Sequence, residues 1–344
     1  MDKTKMEKII KKKFNRSTAS KQVHDAILLV EDSRGDFSVD VGYGGKTMDS
    51  YINAASVGKL FTTTCIIILE EQKKLSLDTP VVNYFDPSLF KGLHLYKGVD
   101  YSNQLTLSNL LFQTSGLPDY EAEGGITQRV IKEDFHISTT ELIAITKNLK
   151  PRFAPLDRKA YYSDLNFQLL GEIIEKVTQK PLEDVFHQYI FQPLSLTKTY
   201  VPVHESYVPN FFYKHQSLYR PKLIKSLRGG GNAITTAREL MVFLKAFFRG
   251  YFFPKNTFEK LAYYRKLQMS MGPLYYGGGY MQLPLNSIMT FFMGKGELLG
   301  HSGSTGSFAY YYPYKDLFFV GDTNQMASSE IPIRLVMQLA MSLA

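Results

Sequence analysis

The apolar positions divide the chain into strand-like ends and a helical middle. Short apolar runs bounded by turn residues predict strands, whereas apolar residues three and four positions apart predict helices. Near the N-terminus, strands are expected at 25–31 and 37–43, joined by a turn at 33–35. The elements predicted toward the C-terminus are a helix at 237–248, strands at 276–283, 287–293, 308–312 and 317–323, and a closing amphipathic helix at 333–344.

The middle of the chain, from about residue 76 to 227, has helical patterns and no convincing strand. Helices are predicted at 140–148, 165–177 and 182–191. Strands at both ends around a helical segment indicate one sheet built from the two chain ends. We therefore expect an α+β fold. In it, residues 1–76 and 228–344 form an α/β lobe with an antiparallel sheet flanked by terminal helices, residues 77–227 form an inserted, mainly helical lobe, and the active site lies between them.

The composition is that of a globular protein. Of the 344 residues, 44% are apolar and 21% are charged, both near the usual values. The single cysteine, Cys65, lies in an apolar stretch, so it has no partner for an intrachain disulfide and is expected in the core. No apolar run approaches the ~18–20 residues that span a bilayer, and no signal-peptide pattern is visible. We expect a cytoplasmic protein, or an extracytoplasmic one if a signal has been removed.

The net charge of +8 is concentrated near the N-terminus. Residues 1–21 contain eight Lys or Arg residues and two acidic ones, a local charge of +6, and the rest of the chain is nearly balanced. Met6, Ile9, Ile10 and Phe14 form one helical stripe in this segment. The pattern predicts a surface helix that packs on a sheet with its basic face in solvent. Docking to an anionic membrane is a less favoured alternative, and nothing indicates nucleic-acid binding.

Candidate chemistry begins at Ser56 and Lys59, at the start of an apolar segment that extends to about Lys74. Residues three positions apart share a helix face, with Cβ atoms about 5–6 Å apart. A helix start also offers free N–H groups and the positive end of the helix dipole. A nucleophile, a basic group and oxyanion donors are what acyl transfer needs.

The S-x-x-K spacing alone is weak evidence. It recurs at Ser88 and Ser195, but proline and glycine around those positions indicate turns. Taken alone, Ser56 is equally consistent with an ordinary helix N-cap.

Two further patches occur at Tyr162-Ser163-Asp164 and at His301-Ser302-Gly303, the latter on a predicted strand. In chain order with Ser56-Val57-Gly58-Lys59, they resemble the serine β-lactamase and penicillin-binding protein superfamily, in its class C branch of carboxypeptidases and esterases. The pattern of that branch is S-x-x-K, Y-x-N and K/H-[TS]-G. Similar flanking blocks, such as 110–118 and 229–231, extend the resemblance over about residues 25–325.

The resemblance implies a role for each matching residue. Ser56 would be the acylated nucleophile, Lys59 would keep the proton network poised, and Tyr162 would share the general-base role with a phenol pKa lowered by nearby cations. The oxyanion would lie between the backbone N–H groups of Ser56 and Ser304. Substrate would be bound along a strand edge by Asp164, His301, Ser302 and Gly303. No metal or cofactor is implied.

The sequence departs from the family pattern at two positions. Asp164 stands where the family often has asparagine, which puts an acid beside Lys59. The alternative match, Ser163-Asp164-Leu165, resembles the S-D-N element of class A enzymes but lacks the amide. His301 stands in place of lysine, and because histidine is mostly neutral near pH 7, a fixed cation for a β-lactam or peptide carboxylate is weakened.

Together these features predict a β-lactamase-like serine hydrolase that cleaves an ester, an amide or a D-amino-acid peptide through an acyl-enzyme on Ser56. The alternative is a catalytically silent binding or regulatory protein on the penicillin-binding fold. The expected partner is a small-molecule or peptide-like substrate, with its pocket shaped by residues 120–135 and 200–225.

Overall fold

The computed structural model describes residues 2–19, 22–155, 158–204, 206–268, 274–286 and 292–344. The strands are β1 (Ala26–Asp32), β2 (Ser38–Tyr43), β3 (Tyr51–Asn53), β4 (Leu95–Tyr96), β5 (Val99–Asp100), β6 (Phe211–Tyr213), β7 (Gln216–Leu218), β8 (Ile234–Thr236), β9 (Arg265–Lys266), β10 (Tyr275–Tyr276), β11 (Met281–Pro284), β12 (Glu297–Ser302), β13 (Ser307–Tyr312) and β14 (Leu317–Asp322). The helices are α1 (Lys3–Thr18), α2 (Lys59–Glu71), α3 (Pro87–Phe90), α4 (Leu107–Leu111), α5 (Tyr120–Glu123), α6 (Ile126–Lys132), α7 (Thr139–Lys147), α8 (Asp164–Thr178), α9 (Leu182–Phe186), α10 (Pro221–Ser226), α11 (Arg228–Gly231), α12 (Ala237–Phe248), α13 (Lys255–Leu261) and α14 (Glu330–Leu343).

The principal sheet has eight antiparallel strands in the order β2-β1-β14-β13-β12-β11-β10-β9. The two chain ends meet where β1 pairs with β14, with Ile27 opposite Asp322. The predicted antiparallel sheet built from both ends of the chain is therefore confirmed. The boundaries of the two lobes stay a prediction.

Helices cover both faces of this sheet. Every residue of β14 is buried, and since consecutive strand residues point to opposite faces, neither face of that strand is open to solvent. The covering helices include α12, against β1, β13 and β14, and α14, against β12 and β13.

Helix α1 packs against α14 and β2. Its Ile10 and Phe14 are fully buried, and Met6 and Ile9 pack against the core. The predicted surface helix with a covered apolar stripe is confirmed. In the described ranges of the chain, no helix has both the length and the apolar character to cross a membrane.

The helical middle contains two short ribbons, β4–β5 and β6–β7, that the sequence did not predict. Their strands have two or three residues each, too few to show an alternating pattern. The predicted helices at 140–148 and 165–177 correspond to α7 and α8, whereas the one at 182–191 is α9 followed by a single π-helical turn, His187–Phe191.

The predicted strand at 276–283 is instead a hairpin, in which β10 pairs with β11 across Gly277–Gly279. Gly279 has φ +91°, and a Cβ there would overlap the hydroxyl of Thr63. The chain therefore reverses where the sequence suggested one continuous strand. Most of the strand predicted at 287–293 falls on residues 287–291, outside the described residues.

Candidate active site

Ser56 lies on a 3-10 turn, Ala55–Gly58, between β3 and α2. Neither the turn nor α2 has a side-chain N-cap, so Ser56 is not the ordinary helix cap that it resembled in the sequence. Ala55 has φ +44°, in the left-handed region that is costly for a residue with a Cβ. A Cβ on Gly231, at φ +125°, would overlap the carbonyl oxygen of Ala55. The glycine therefore lets α11 approach the serine turn.

Lys59 is fully buried beneath Ser56. Its ammonium donates hydrogen bonds to Ser56 Oγ at 2.9 Å and to the carbonyl oxygen of Gly230 at 2.5 Å. It also forms an ion pair with Asp164 Oδ1 at 2.6 Å. The i, i+3 spacing thus brings the two groups into direct contact, and the acid at position 164 is the counter-ion of the lysine.

Tyr162 reaches the same serine from the start of α8. Its hydroxyl donates to Ser56 Oγ at 3.1 Å. The side-chain amide of Gln113 fixes this segment by accepting from the backbone N–H of Ser163 and donating to its carbonyl oxygen. Ser163 Oγ donates to the carbonyl oxygen of Pro118. The tyrosine, and not the neighbouring serine, contacts Ser56.

The phenol of Tyr162 is neutral in this site. Burial, together with the negative charge of Asp164, raises its pKa well above the ordinary value. The Lys59 ammonium lies 5.4 Å from the ring centroid, but it does not reverse that effect. The prediction of a lowered phenol pKa is therefore wrong, because the sequence showed the cation and the acid beside it but not the burial of the phenol, which is the largest cause of the raised pKa.

His301 is fully buried on β12 and is not among the described residues that line the two cavities at Ser56. Nδ1 lies 2.8 Å from the carbonyl oxygen of Ser302, and a carbonyl only accepts, so Nδ1 carries the proton. Nε2 then accepts from the hydroxyl of Tyr276 at 3.3 Å. Burial, assisted by the charge of Lys59, lowers the histidine pKa to about 3. The imidazole ring is therefore neutral and packs beside Tyr162, with the centroids of the two rings 6.0 Å apart.

Two cavities open at Ser56. The inner cavity has a volume of about 80 Å³ and the outer cleft of about 530 Å³. Ser56, Glu121, Asp164 and Ser304 line both of them. The apolar wall of the inner cavity consists of Ile126, Val130, Phe211, Leu223, Ile224 and Leu227. Five of these six residues come from the two segments, 120–135 and 200–225, that were expected to shape the pocket.

The predicted substrate residues Ser302 and Gly303 line the outer cleft. Strand β11 begins at Met281, opposite Gly300 of β12. Among the described strands, the last two residues of β12 therefore pair only with β13. The end of β12 is an open edge beside the cleft. In the described part of the chain, no group of three or more His, Cys, Asp or Glu side chains is arranged to hold a metal ion.

The Beta-lactamase family model matches residues 30–340. The chain belongs to this family. Among curated relatives, it is 26% identical over 243 residues to the putative penicillin-binding protein PbpX of Bacillus subtilis, which covers 66% of this chain and 56% of that protein. It is 30% identical over 163 residues to the D-alanyl-D-alanine-carboxypeptidase/endopeptidase AmpH of Escherichia coli, covering 45% of this chain and 38% of AmpH. The chain thus spans about half or less of these relatives.

Solved structures of similar fold match almost the whole chain. The D-stereospecific amidohydrolase from Streptomyces superposes with a TM-score of 0.75 at 23% identity, covering 95% of this chain and 97% of that one. The octameric penicillin-binding protein homologue from Pyrococcus abyssi gives 0.77 at 22% identity, covering 100% and 77%. At these identities the likeness shows the β-lactamase-like fold.

Sequence reasoning missed two acids of this β-lactamase-family site, Asp119 and Glu121. Asp119 caps α5 and accepts from the backbone N–H of Asp164 at 3.2 Å. Burial, with the nearby charge of Asp164, raises the pKa of Asp119 to about 7. Burial and Asp164 also raise the pKa of Glu121 well above its usual range. The available signal was their position directly after the flanking block 110–118.

Proposed function

We propose that the protein is a serine hydrolase that cleaves an ester, amide or peptide bond through an acyl-enzyme on Ser56. The observation that carries this proposal is that Ser56 Oγ, at the junction of two cavities, accepts hydrogen bonds from both Lys59 and Tyr162. A hydroxyl held by a buried lysine and a second proton carrier has the arrangement of an activated nucleophile. The activities for which AmpH and the Streptomyces amidohydrolase are named agree with it.

The neutral phenol of Tyr162 is suited to a proton relay. With substrate bound, the phenol hydroxyl would turn its proton from Ser56 Oγ toward the leaving nitrogen or oxygen, so that the phenol oxygen becomes the acceptor for the serine hydroxyl. As Ser56 Oγ bonds to the scissile carbonyl carbon, the serine proton passes to the phenol oxygen, and the phenol proton passes to the leaving nitrogen or oxygen. The bond to the leaving group then breaks. Water releases the acyl group by the same relay in reverse, which returns the proton to Ser56. The phenol therefore need not ionise at any stage.

The remaining residues support this step. The backbone N–H groups of Ser56 and Ser304 would stabilise the oxyanion, since both residues line both cavities. Asp164 would hold Lys59 in place, and the neutral His301 would position Tyr162. The open end of β12, with Ser302 and Gly303, would pair with the extended backbone of a peptide-like substrate.

Turnover by matched serine variants tests this function. The substrates are a p-nitrophenyl ester, an amino acid p-nitroanilide, a D-alanyl-D-alanine peptide and a penicillin. The wild type is expected to hydrolyse at least one of them, and Ser56→Ala to abolish that activity. Ser195→Ala, at another S-x-x-K position, is the control and should retain it. Unchanged turnover in Ser56→Ala would remove this serine from the mechanism, and a folded wild type inactive on all four would favour the binding or regulatory alternative.

For partners, we propose a small-molecule or peptide-like substrate and no nucleic acid. The apolar stripe of α1 is covered by the core, so this helix offers a membrane only its basic face. Co-sedimentation with anionic vesicles can compare the full chain with a form that lacks residues 1–21. If equal fractions of the two proteins pellet, docking through α1 is excluded. The cytoplasmic location stays a prediction.

A further inference from the structure

The inner cavity has an unbalanced charge. The charged residues that line it, among those described, are Glu121 and Asp164, both acidic. Asp164 is paired with the buried ammonium of Lys59 at 2.6 Å. Glu121 has no cation of its own there: its carboxyl donates a hydrogen bond to Asp164 and stays protonated well above its usual range, because it is buried and faces that carboxylate. The inner cavity therefore contains a buried acid that is held neutral by its surroundings and that a cation in the cavity would allow to ionise.

Buried amides in the same cavity are a second and independent observation. Asn232 is 4% exposed, lines the cavity, and neither atom of its amide has a hydrogen-bond partner in the described part of the chain. Asn53 also lines the cavity; its Nδ2 donates to the carbonyl oxygen of Pro209, but its Oδ1 is unpaired. Buried polar groups are rarely left without a partner. The unpaired oxygens of Asn53 and Asn232 can each accept from a hydrogen-bond donor in the cavity, and the unpaired Nδ2 of Asn232 can in turn donate to an acceptor.

The position of Glu121 fixes the part of the substrate that it would meet. Glu121 and Ser56 line the same small cavity, and the contacts run from Glu121 to Asp164, to Lys59 and to Ser56. A substrate acylating Ser56 can therefore place a group of its acyl half in this cavity, within reach of Glu121. The apolar wall beside it would receive a hydrophobic side chain.

We infer that the inner cavity selects acyl groups that carry a free ammonium next to the scissile carbonyl, with Glu121 as counter-ion and Asn232 as a further acceptor. The substrate class is that of amino acid amides or esters, or peptides cleaved after a free N-terminal residue, with an apolar side chain. This inference rests on the proposed acyl-enzyme function and adds the chemistry of the acyl group. An ammonium in the cavity would take the place of the proton on Glu121 and supply a donor to the unpaired amide oxygens.

A pair of substrates that differ only in the amine tests the inference. Phenylalanine p-nitroanilide, as each enantiomer, is compared with its N-acetylated form, which keeps the side chain and leaving group but has no positive charge. The quantity measured is the ratio of kcat/KM for the free amine to that for the acetylated substrate. Because both values come from one preparation, the ratio is independent of the fraction of folded enzyme.

The wild type is expected to prefer the free amine, and Glu121→Gln to lower the ratio at least tenfold. Asn232→Ala should lower it by a smaller factor. Glu133→Gln is the matched control: its carboxylate pairs with Arg129 on the exposed surface of α6, and the ratio should stay at the wild-type value.

Two results would overturn the inference alone. One is a wild-type ratio of one or less in a protein whose Ser56 is labelled by a fluorophosphonate. The other is a Glu121→Gln variant that slows both substrates equally, which would mean that Glu121 acts through Asp164 and Lys59 on the chemistry of every substrate. Absence of both labelling and turnover in the folded wild type would overturn the proposed function as well.

Discussion

Replacing Tyr162 with phenylalanine removes one hydroxyl and leaves the ring in place. The lost interaction is the hydrogen bond to Ser56 Oγ at 3.1 Å. A hydrogen bond of this kind contributes about 0.5–1.5 kcal/mol to stability, so the variant should fold. A positioned proton carrier contributes about 10²–10⁴-fold to the rate, or about 2.7–5.4 kcal/mol of barrier at 1.36 kcal/mol for each tenfold change. We therefore expect a large loss of activity with a small loss of stability.

The assay is kcat/KM for hydrolysis of whichever of the four substrates the wild type turns over, together with the free energy of unfolding in urea. Tyr312→Phe is the matched control, because its ring is also buried and its hydroxyl donates one hydrogen bond, to the carbonyl oxygen of Lys295 at 2.8 Å. It should lose similar stability and keep its activity. Ser163→Ala tests the alternative match and should stay active. The reasoning would be refuted if Tyr162→Phe kept wild-type activity while Ser163→Ala lost it.

Three further predictions concern stability. In Asp119→Asn, the free energy of unfolding should equal the wild-type value near pH 4 and exceed it increasingly up to about pH 7. The reason is that the raised pKa of Asp119 makes the native wild type hold a proton that its unfolded chain has already lost. A difference between variant and wild type that stays constant with pH in urea titrations would contradict this. Gly231→Ala should lower the melting temperature and the activity together, since its Cβ would overlap the carbonyl oxygen of Ala55; a wild-type melting curve would disprove the close approach. Asp164→Leu should lower the free energy of unfolding by about 3–5 kcal/mol, because it leaves the buried Lys59 without its counter-ion, and adding Lys59→Met should restore most of that stability. Equal urea midpoints for the single and double variants would show that the two residues are not coupled.

The long periodic elements were predictable because their own sequences determine them. Helix α12 spans Ala237–Phe248, as its apolar pattern indicates, and β13 and β14 lie within a residue of their predicted bounds. The short ribbon β6–β7 depends on contacts distant in sequence, so three-residue strands gave no local signal. The hairpin at 275–284 was missed because its reversal requires Gly279 to pack against Thr63, a contact made only in the folded chain.

Those features of the candidate site that depend on residue order and spacing were predictable from the sequence. The contact between Lys59 and Ser56 follows from three-residue spacing, and the resemblance supplied Tyr162. The phenol pKa was not predictable, because it depends on how burial and the charges of Asp164 and Lys59 add in three dimensions. Glu121 carries no motif; its importance follows from the cavity that surrounds it.

The central claim is that Ser56 is an activated nucleophile, and covalent labelling tests it most directly. Wild type, Ser56→Ala and Ser195→Ala are incubated with a serine-directed fluorophosphonate, and their intact masses are measured, followed by peptide mapping. The account predicts one adduct, on Ser56, in the wild type and in Ser195→Ala, and none in Ser56→Ala. An adduct that persists in Ser56→Ala, or a folded wild type that takes no label, would contradict it.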